Sequence, residues 1–139
     1  MTPMLATDVR KQWSSVCDDV VRRSPKFIKR SKDELVLINL ETFIQILDAY
    51  QFSAETFVED NGSVTISLDQ IDLVENGTDK NDALLQMGKA ICEYANDYYI
   101  YGFSNSINRK SHLPYVLKAL SINDPEKIGG SIICRVGKN

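Results

Sequence analysis

Three groups of side chains in this sequence could do chemistry. Lys29, Arg30 and Lys32 bring cations close together, which suits an anionic partner, although most such charge runs are solvated surface. Tyr94, Tyr98, Tyr99 and Tyr101 form a second group. Tyrosine combines apolar area with a polar tip and occurs often on recognition surfaces; at helical spacing it is more often core. His112, the single histidine, stands near Arg109, Lys110 and Tyr115. That set could be imagined as the acid–base centre of a ribonuclease-like site. A lone histidine before a proline-led helix is more often structural, because catalysis needs partners that converge in space. No second histidine, metal-ligand spacing, glycine-rich phosphate loop or nucleophile elbow accompanies it. The sequence therefore assigns no catalytic residue, no metal and no cofactor, and the chain does not read as an enzyme.

The elements that must position these groups begin with the stretch from Leu5 to Tyr50. Val9, Trp13, Val16, Cys17, Val20 and Val21 recur at spacings of three and four, which puts one apolar stripe on a helix from Thr7 to Arg23. Thr7 is the expected N-cap, with Asp8 in the first turn, and Trp13, Val16 and Val20 are expected to face the core. Pro25 ends the helix at the residue before it. Phe27-Ile28 and Leu35-Val36-Leu37-Ile38 flank the charged link Lys29–Glu34 and read as a β-hairpin with the three cations at its turn. Leu40, Phe43, Ile44, Leu47 and Tyr50 return to helical spacing. A short strand at Met4-Leu5 would precede all of this.

Past Tyr50 a second pattern starts. Thr56–Glu59 and Ser63–Leu68 flank Asp60-Asn61-Gly62, and an Asn-Gly pair between alternating segments is a strong hairpin signal. Ile71, Leu73 and Val74 supply a third strand or an edge, and Asn76-Gly77-Thr78 a further turn. Thr78 or Asp79 caps a helix whose apolar stripe runs through Leu84, Met87, Ile91, Tyr94 and Tyr98. One or two of the tyrosines near its end are expected to face a partner. Pro114 suits the first turn of a helix over Tyr115–Leu120. Asp124-Pro125 starts another short helix closed by Gly129-Gly130. Ile132-Ile133-Cys134 is expected as a last strand and Arg135–Asn139 as a frayed end.

The first stretch resembles the N-terminal domain of the prevent-host-death (Phd/YefM) antitoxins of bacterial toxin–antitoxin systems. The resemblance is carried by Ala6-Thr7-Asp8-Val9-Arg10-Lys11, by Pro25 with Phe27-Ile28-Lys29-Arg30, by Asp33–Ile38 and by Leu40-Glu41-Thr42-Phe43. It covers roughly the first third of the chain. It implies a small helix–hairpin–helix domain that forms a homodimer and grips operator DNA with basic residues near the first helix and on the hairpin. Carried over, Arg10 matches the first of these and Arg30 the second, with Lys11, Lys29 and Lys32 as neighbours and Thr7 as a possible hydroxyl contact. Arginine offers bidentate contacts to guanine edges or phosphate, and a dimer doubles the cluster. Glu93-Tyr94-Ala95-Asn96-Asp97-Tyr98-Tyr99 and Asn108–Leu117 also resemble the second domain of a subgroup of such antitoxins from low-GC Gram-positive bacteria.

Length and composition set the frame. A chain of 139 residues with 43% hydrophobic and 25% charged residues is an ordinary soluble protein of one or two small domains. No apolar run approaches the ~20 residues that cross a bilayer, and the N-terminus lacks the pattern of a signal peptide. A cytoplasmic location is expected, with no membrane partner. Cys17, Cys92 and Cys134 match no zinc spacing and no disulfide framework, and Cys17 and Cys92 are expected as buried small hydrophobes. The net charge of −3 is unevenly spread. Residues 1–53 hold 8 Lys and Arg against 7 Asp and Glu, residues 54–100 hold 2 against 10, and residues 101–139 hold 6 against 2. Separate surfaces for separate partners, or a solvated acidic face, would both give that distribution.

The expected fold is therefore α+β: a dimerisation and DNA-binding domain over residues 1–53, followed by a second small α+β domain over 54–139 that would bind a toxin. The expected function is that of a type II antitoxin, which neutralises a cognate toxin, an RNase being the expected kind, and represses its own operon. Tyr94, Tyr98, Tyr99 and Tyr101 are the expected toxin-binding residues. Two alternatives stand beside it: a stand-alone DNA-binding transcription regulator with no toxin, and an RNA-processing enzyme built on His112, Arg109 and Tyr115.

Overall fold

A computed structural model describes residues 1–103 and 107–138, with the backbone alone at 107–109. The chain divides into two compact units, Met1–Ile46 and Leu47–Asn139. The division falls in the last turn of a helix rather than after Ser53, because Phe52 already belongs to the core of the second unit.

The first unit runs β1 (Met4–Leu5), α1 (Ala6–Lys11), α2 (Trp13–Arg22), β2 (Lys26–Arg30), β3 (Asp33–Leu37) and α3 (Leu40–Leu47). β1 pairs in parallel with β2, Met4 opposite Ile28 and Leu5 opposite Lys29. β2 and β3 form the hairpin, with Arg30 opposite Asp33. Ser31 and Lys32 are thus a two-residue turn, and Ser31 takes the left-handed backbone (φ 53°) that tight hairpins use. Asn39 caps α3, its side-chain oxygen accepting from the Glu41 N–H at 2.9 Å. The buried core is small: Val9, Val16 and Val20, with Met4, Ile28 and Leu37 packed against them.

Three local expectations change here. The first helix starts at Ala6, not at a Thr7 cap: Leu5 precedes it with no side-chain cap, because β1 pairing leads straight into the helix. Thr7 lies in the first turn and is exposed. The helix is also kinked at Gln12 (φ −116°, ψ 32°), although i→i−4 bonds continue on both sides, Gln12 N–H to Asp8 O and Val16 N–H to Gln12 O. The kink sits directly before Trp13 and turns it out of the stripe. Trp13 is 54% exposed, and Val9, on the same expected stripe, is buried at 6%. Cys17 is half-buried rather than fully so.

The second unit contains β4 (Ser53–Val58), β5 (Val64–Leu68), β6 (Val74–Gly77), α4 (Lys80–Asp97), a π-helical turn (Tyr98–Gly102), a 3-10 turn (Ile107–His112), α5 (Leu113–Ile122), α6 (Pro125–Gly130) and β7 (Ile133–Val136). Its sheet has the order β6-β5-β4-β7, antiparallel except for the β4–β7 pair. Val64, Ile66 and Leu68 alternate with Thr65 and Ser67 along β5, the first set buried and the second half-exposed, as a one-sided sheet requires. Phe52, Ala54, Ile66, Met87, Ile91, Val116 and Ile128 fill the core beneath. α4 and α6 approach closely at two glycines. A Cβ on Gly88 would come within 2.0 Å of the Pro125 carbonyl oxygen, and one on Gly129 within 2.3 Å of that of Leu84.

One turn expectation shifts as well. Asn76-Gly77 belongs to β6 rather than to a turn, held by its register with β5 and by Asn76 Nδ2 donating to Thr65 Oγ1 at 3.0 Å and Ser63 Oγ at 3.1 Å. Of the two expected caps of α4, Thr78 and Asp79, it is Asp79 that caps, accepting from Asp82 N–H at 2.8 Å. The C-terminal end is ordered through Val136. Arg135 donates to both carboxylate oxygens of Asp69 at 2.6 and 3.0 Å and to Glu55 at 2.9 Å. No helix among the described residues is long and apolar enough to cross a membrane.

Candidate functional site

Basic residues of the first unit lie on α1 and at the hairpin turn, while Arg22, Arg23 and Lys26 lie at the other end of β2. β1 pairing sets Leu5 opposite Lys29, so α1, which begins at the next residue, starts beside the hairpin end that carries Lys29 and Arg30. Thr7, Arg10, Lys11, Lys29, Arg30 and Lys32 are all exposed. Arg30 is tied to Asp33 across the turn at 3.0 Å, both side chains being well exposed. Among the described residues no ion pair engages Arg10, Lys11, Lys29 or Lys32. The exposed cations are therefore available to phosphate, and the turn can release Arg30 only against its carboxylate.

The same unit leaves much apolar surface uncovered in the protomer. Leu5, Trp13, Val21, Phe27, Leu35, Val36, Leu40 and Ile46 are exposed on a unit of 46 residues.

In the second unit the four tyrosines take different positions. Tyr98 is buried at 6%. Tyr94 is half-buried, and its hydroxyl lies 2.6 Å from Nδ1 of His112, with the two rings 5.7 Å apart. Tyr99 and Tyr101 stand in solvent. Ring contacts run from Tyr94 to Tyr98, from Tyr98 to Phe103 and from Phe103 to Tyr99, at 6.2, 5.3 and 5.9 Å. Tyr94 and Tyr98 thus form a support under the exposed Tyr99. Ile100 and Phe103 share that exposure and were missed in the sequence. The signal for Ile100 was its place on the helix face opposite the buried stripe.

His112 meets Tyr94, on the neighbouring helix. Tyr115 packs instead on Tyr50 and Phe52, at 5.8 and 5.5 Å, and the Arg109 side chain lies outside the described residues, as does that of Asn108. Buried Lys118 donates to the Tyr50 carbonyl at 2.8 Å and lies 6.0 Å over the Phe52 ring, fixing the segment that enters β4. Among the described residues no three His, Cys, Asp or Glu side chains converge as a metal site would require. Burial pushes the Cys92 and Cys134 thiols up, away from the reactive thiolate. The guanidinium of Arg135, helped by the Ser53 hydroxyl, holds the Asp69 carboxyl below the usual carboxylate range.

The model of a PHD-like family, described as antitoxins of toxin–antitoxin systems of the RelE/RelB kind, matches residues 1–133. A crystal structure at 1.80 Å from Syntrophomonas wolfei subsp. wolfei, described as the antitoxin part of a proposed toxin/antitoxin system, is similar along its whole length. It shares 30% sequence identity with this chain at a TM-score of 0.89, over 99% of this chain and 100% of that one. No curated protein matches.

Proposed function

The chain belongs to the PHD-like antitoxins of toxin–antitoxin systems, and from that premise we propose a division of labour between its two units. The first unit is of the Phd/YefM kind. It pairs with a second copy through its apolar side chains and binds operator DNA with Arg10 and Arg30, supported by Thr7, Lys11, Lys29 and Lys32. The second unit binds and neutralises the cognate toxin through Tyr99 and Tyr101, with Tyr94, Tyr98 and Phe103 forming the chain of rings behind Tyr99. No catalytic step is assigned to it.

The observation that carries this reading is the exposed apolar set of the first unit beside its basic cluster. Full burial of one large apolar side chain contributes roughly 1.5–3 kcal/mol, so several half-covered ones offset the ordering of a dimer interface. Pairing also doubles the cations that face DNA, and phosphate contacts accumulate with each.

A gel-shift on the DNA upstream of the gene, at two salt concentrations, tests it together with light scattering. A dimer that shifts its own upstream DNA specifically, and less at high salt, is the expected result. A monomer with no DNA affinity would overturn the proposal for the first unit.

A further inference from the structure

The solvent side of α4 changes character at its end. Glu93 and Asp97 are exposed acids in the last turns of the helix, and the π-helical turn Tyr98–Gly102 follows directly. Here the side chains become apolar without leaving solvent: Tyr99, Ile100, Tyr101 and Phe103 are 66%, 65%, 71% and 50% exposed. Isolated exposed hydrophobes are ordinary, but four within five consecutive positions make a patch.

Two features fix the shape of that patch. Phe103 packs edge-on against buried Tyr98 and exposed Tyr99, with interplanar angles of 84° and 81°. Gly102 leaves space for the buried ring, since a Cβ there would come within 3.0 Å of it. The chain also switches from α to π geometry at Tyr98, an irregularity frequent at functional positions. Rings ordered in advance lose little freedom when a partner arrives.

Charge selects the partner. Residues 54–100 hold 2 Lys and Arg against 10 Asp and Glu, and the last carbonyls of the helix add a negative pole. Glu93 and Asp97, exposed in the turns that lead into the patch, attract a cationic protein face rather than nucleic acid or anionic lipid.

We infer that the π-helical turn and the last acidic turns of α4 form one docking surface, and that its partner is a toxin presenting an apolar cleft rimmed by lysine or arginine. The inference rests on the reading that the second unit neutralises a toxin. Ile100 and Tyr101 enter the cleft, Glu93 and Asp97 face its rim, and Phe103 is a positioning residue for Tyr99.

The test titrates full-length protein with the toxin encoded by the adjacent gene, by calorimetry at two salt concentrations. Three forms are compared: wild type, the double variant Ile100→Ala with Tyr101→Ala, and the double variant Glu93→Gln with Asp97→Asn. The first variant should weaken toxin binding at least tenfold, with operator binding and thermal unfolding as in wild type. The second should bind more weakly at low salt and lose most of the salt dependence. Wild-type toxin affinity in both variants would overturn this surface while leaving toxin neutralisation by the second unit intact. Failure of the wild type itself to bind the toxin would overturn the reading beneath, and the inference with it.

Discussion

The two units solve the problem of a core in opposite ways. Among the described residues, the second buries fifteen hydrophobic residues in one cluster, among them Phe52, Met87, Ile91 and Ile128. The first buries three valines and leaves Trp13, Phe27, Leu35 and Val36 in solvent. A small domain that exposes its aromatic and branched residues gains most of its stability from whatever covers them. The larger core thus lies in the unit proposed to meet the toxin, and the unit proposed to meet DNA is the one whose uncovered side chains a second copy is proposed to cover. If pairing and DNA binding are one event, losing the partner copy also loses the DNA site.

The contrast breaks most visibly in the second core. Phe52→Ala should destabilise the second unit by about 3–5 kcal/mol, equally at low and high protein concentration, as denaturant unfolding would record. A loss that vanished at high concentration would mean this core is also completed by a partner. Next in size, Val36→Asp places a charge on the face proposed to pair. The protein should become monomeric by light scattering and lose operator binding while the second unit melts as before. A dimer that survives the charge would remove β3 from the interface. Trp13→Ala should act in the same direction but more weakly, raising the dimer dissociation constant without disturbing the second unit.

Smaller effects sharpen the DNA surface. Arg10→Ala should weaken operator affinity by about 1–3 kcal/mol, the range of one bidentate base contact. Asp33→Asn, which frees Arg30 from its carboxylate, should strengthen DNA binding slightly, and filter binding of both variants would show it. Unchanged affinity in each would remove the hairpin and α1 from the DNA face.

The smallest expected effect lies at β7. The Asp69 carboxyl is held below its ordinary range by Arg135 and Ser53. Its contribution is therefore fully present above the unfolded carboxylate value of about 3.9, and is lost as the pH falls through the lowered folded value. Asp69→Asn should lower the melting temperature slightly at neutral pH, and the difference from wild type should shrink as the pH falls below the ordinary carboxylate range.

Much of this was legible in residue patterns. The hairpin over Lys26–Leu37, the Asn61-Gly62 turn and the long helix after Asp79 all follow from alternation, turn chemistry and the helical stripe, which act within a few residues. What was not legible depends on tertiary geometry. Spacing puts Val9 and Trp13 on one stripe, and only the structure, with its kink at Gln12, shows Val9 buried and Trp13 exposed. Tyr94 and Tyr98 read like Tyr99 and Tyr101 by composition, and only packing sorts support from surface. Arg135 looked like part of a loose end, since its carboxylates at Asp69 and Glu55 lie far away in sequence.

The most direct test is hydrogen exchange resolved along the chain, at protein concentrations well above and well below the dimer dissociation constant. On dilution α2, β2 and β3 should lose protection while β4, β5 and α4 keep theirs. Equal protection of the first unit at both concentrations would contradict this, because that unit would then be stable without a second copy.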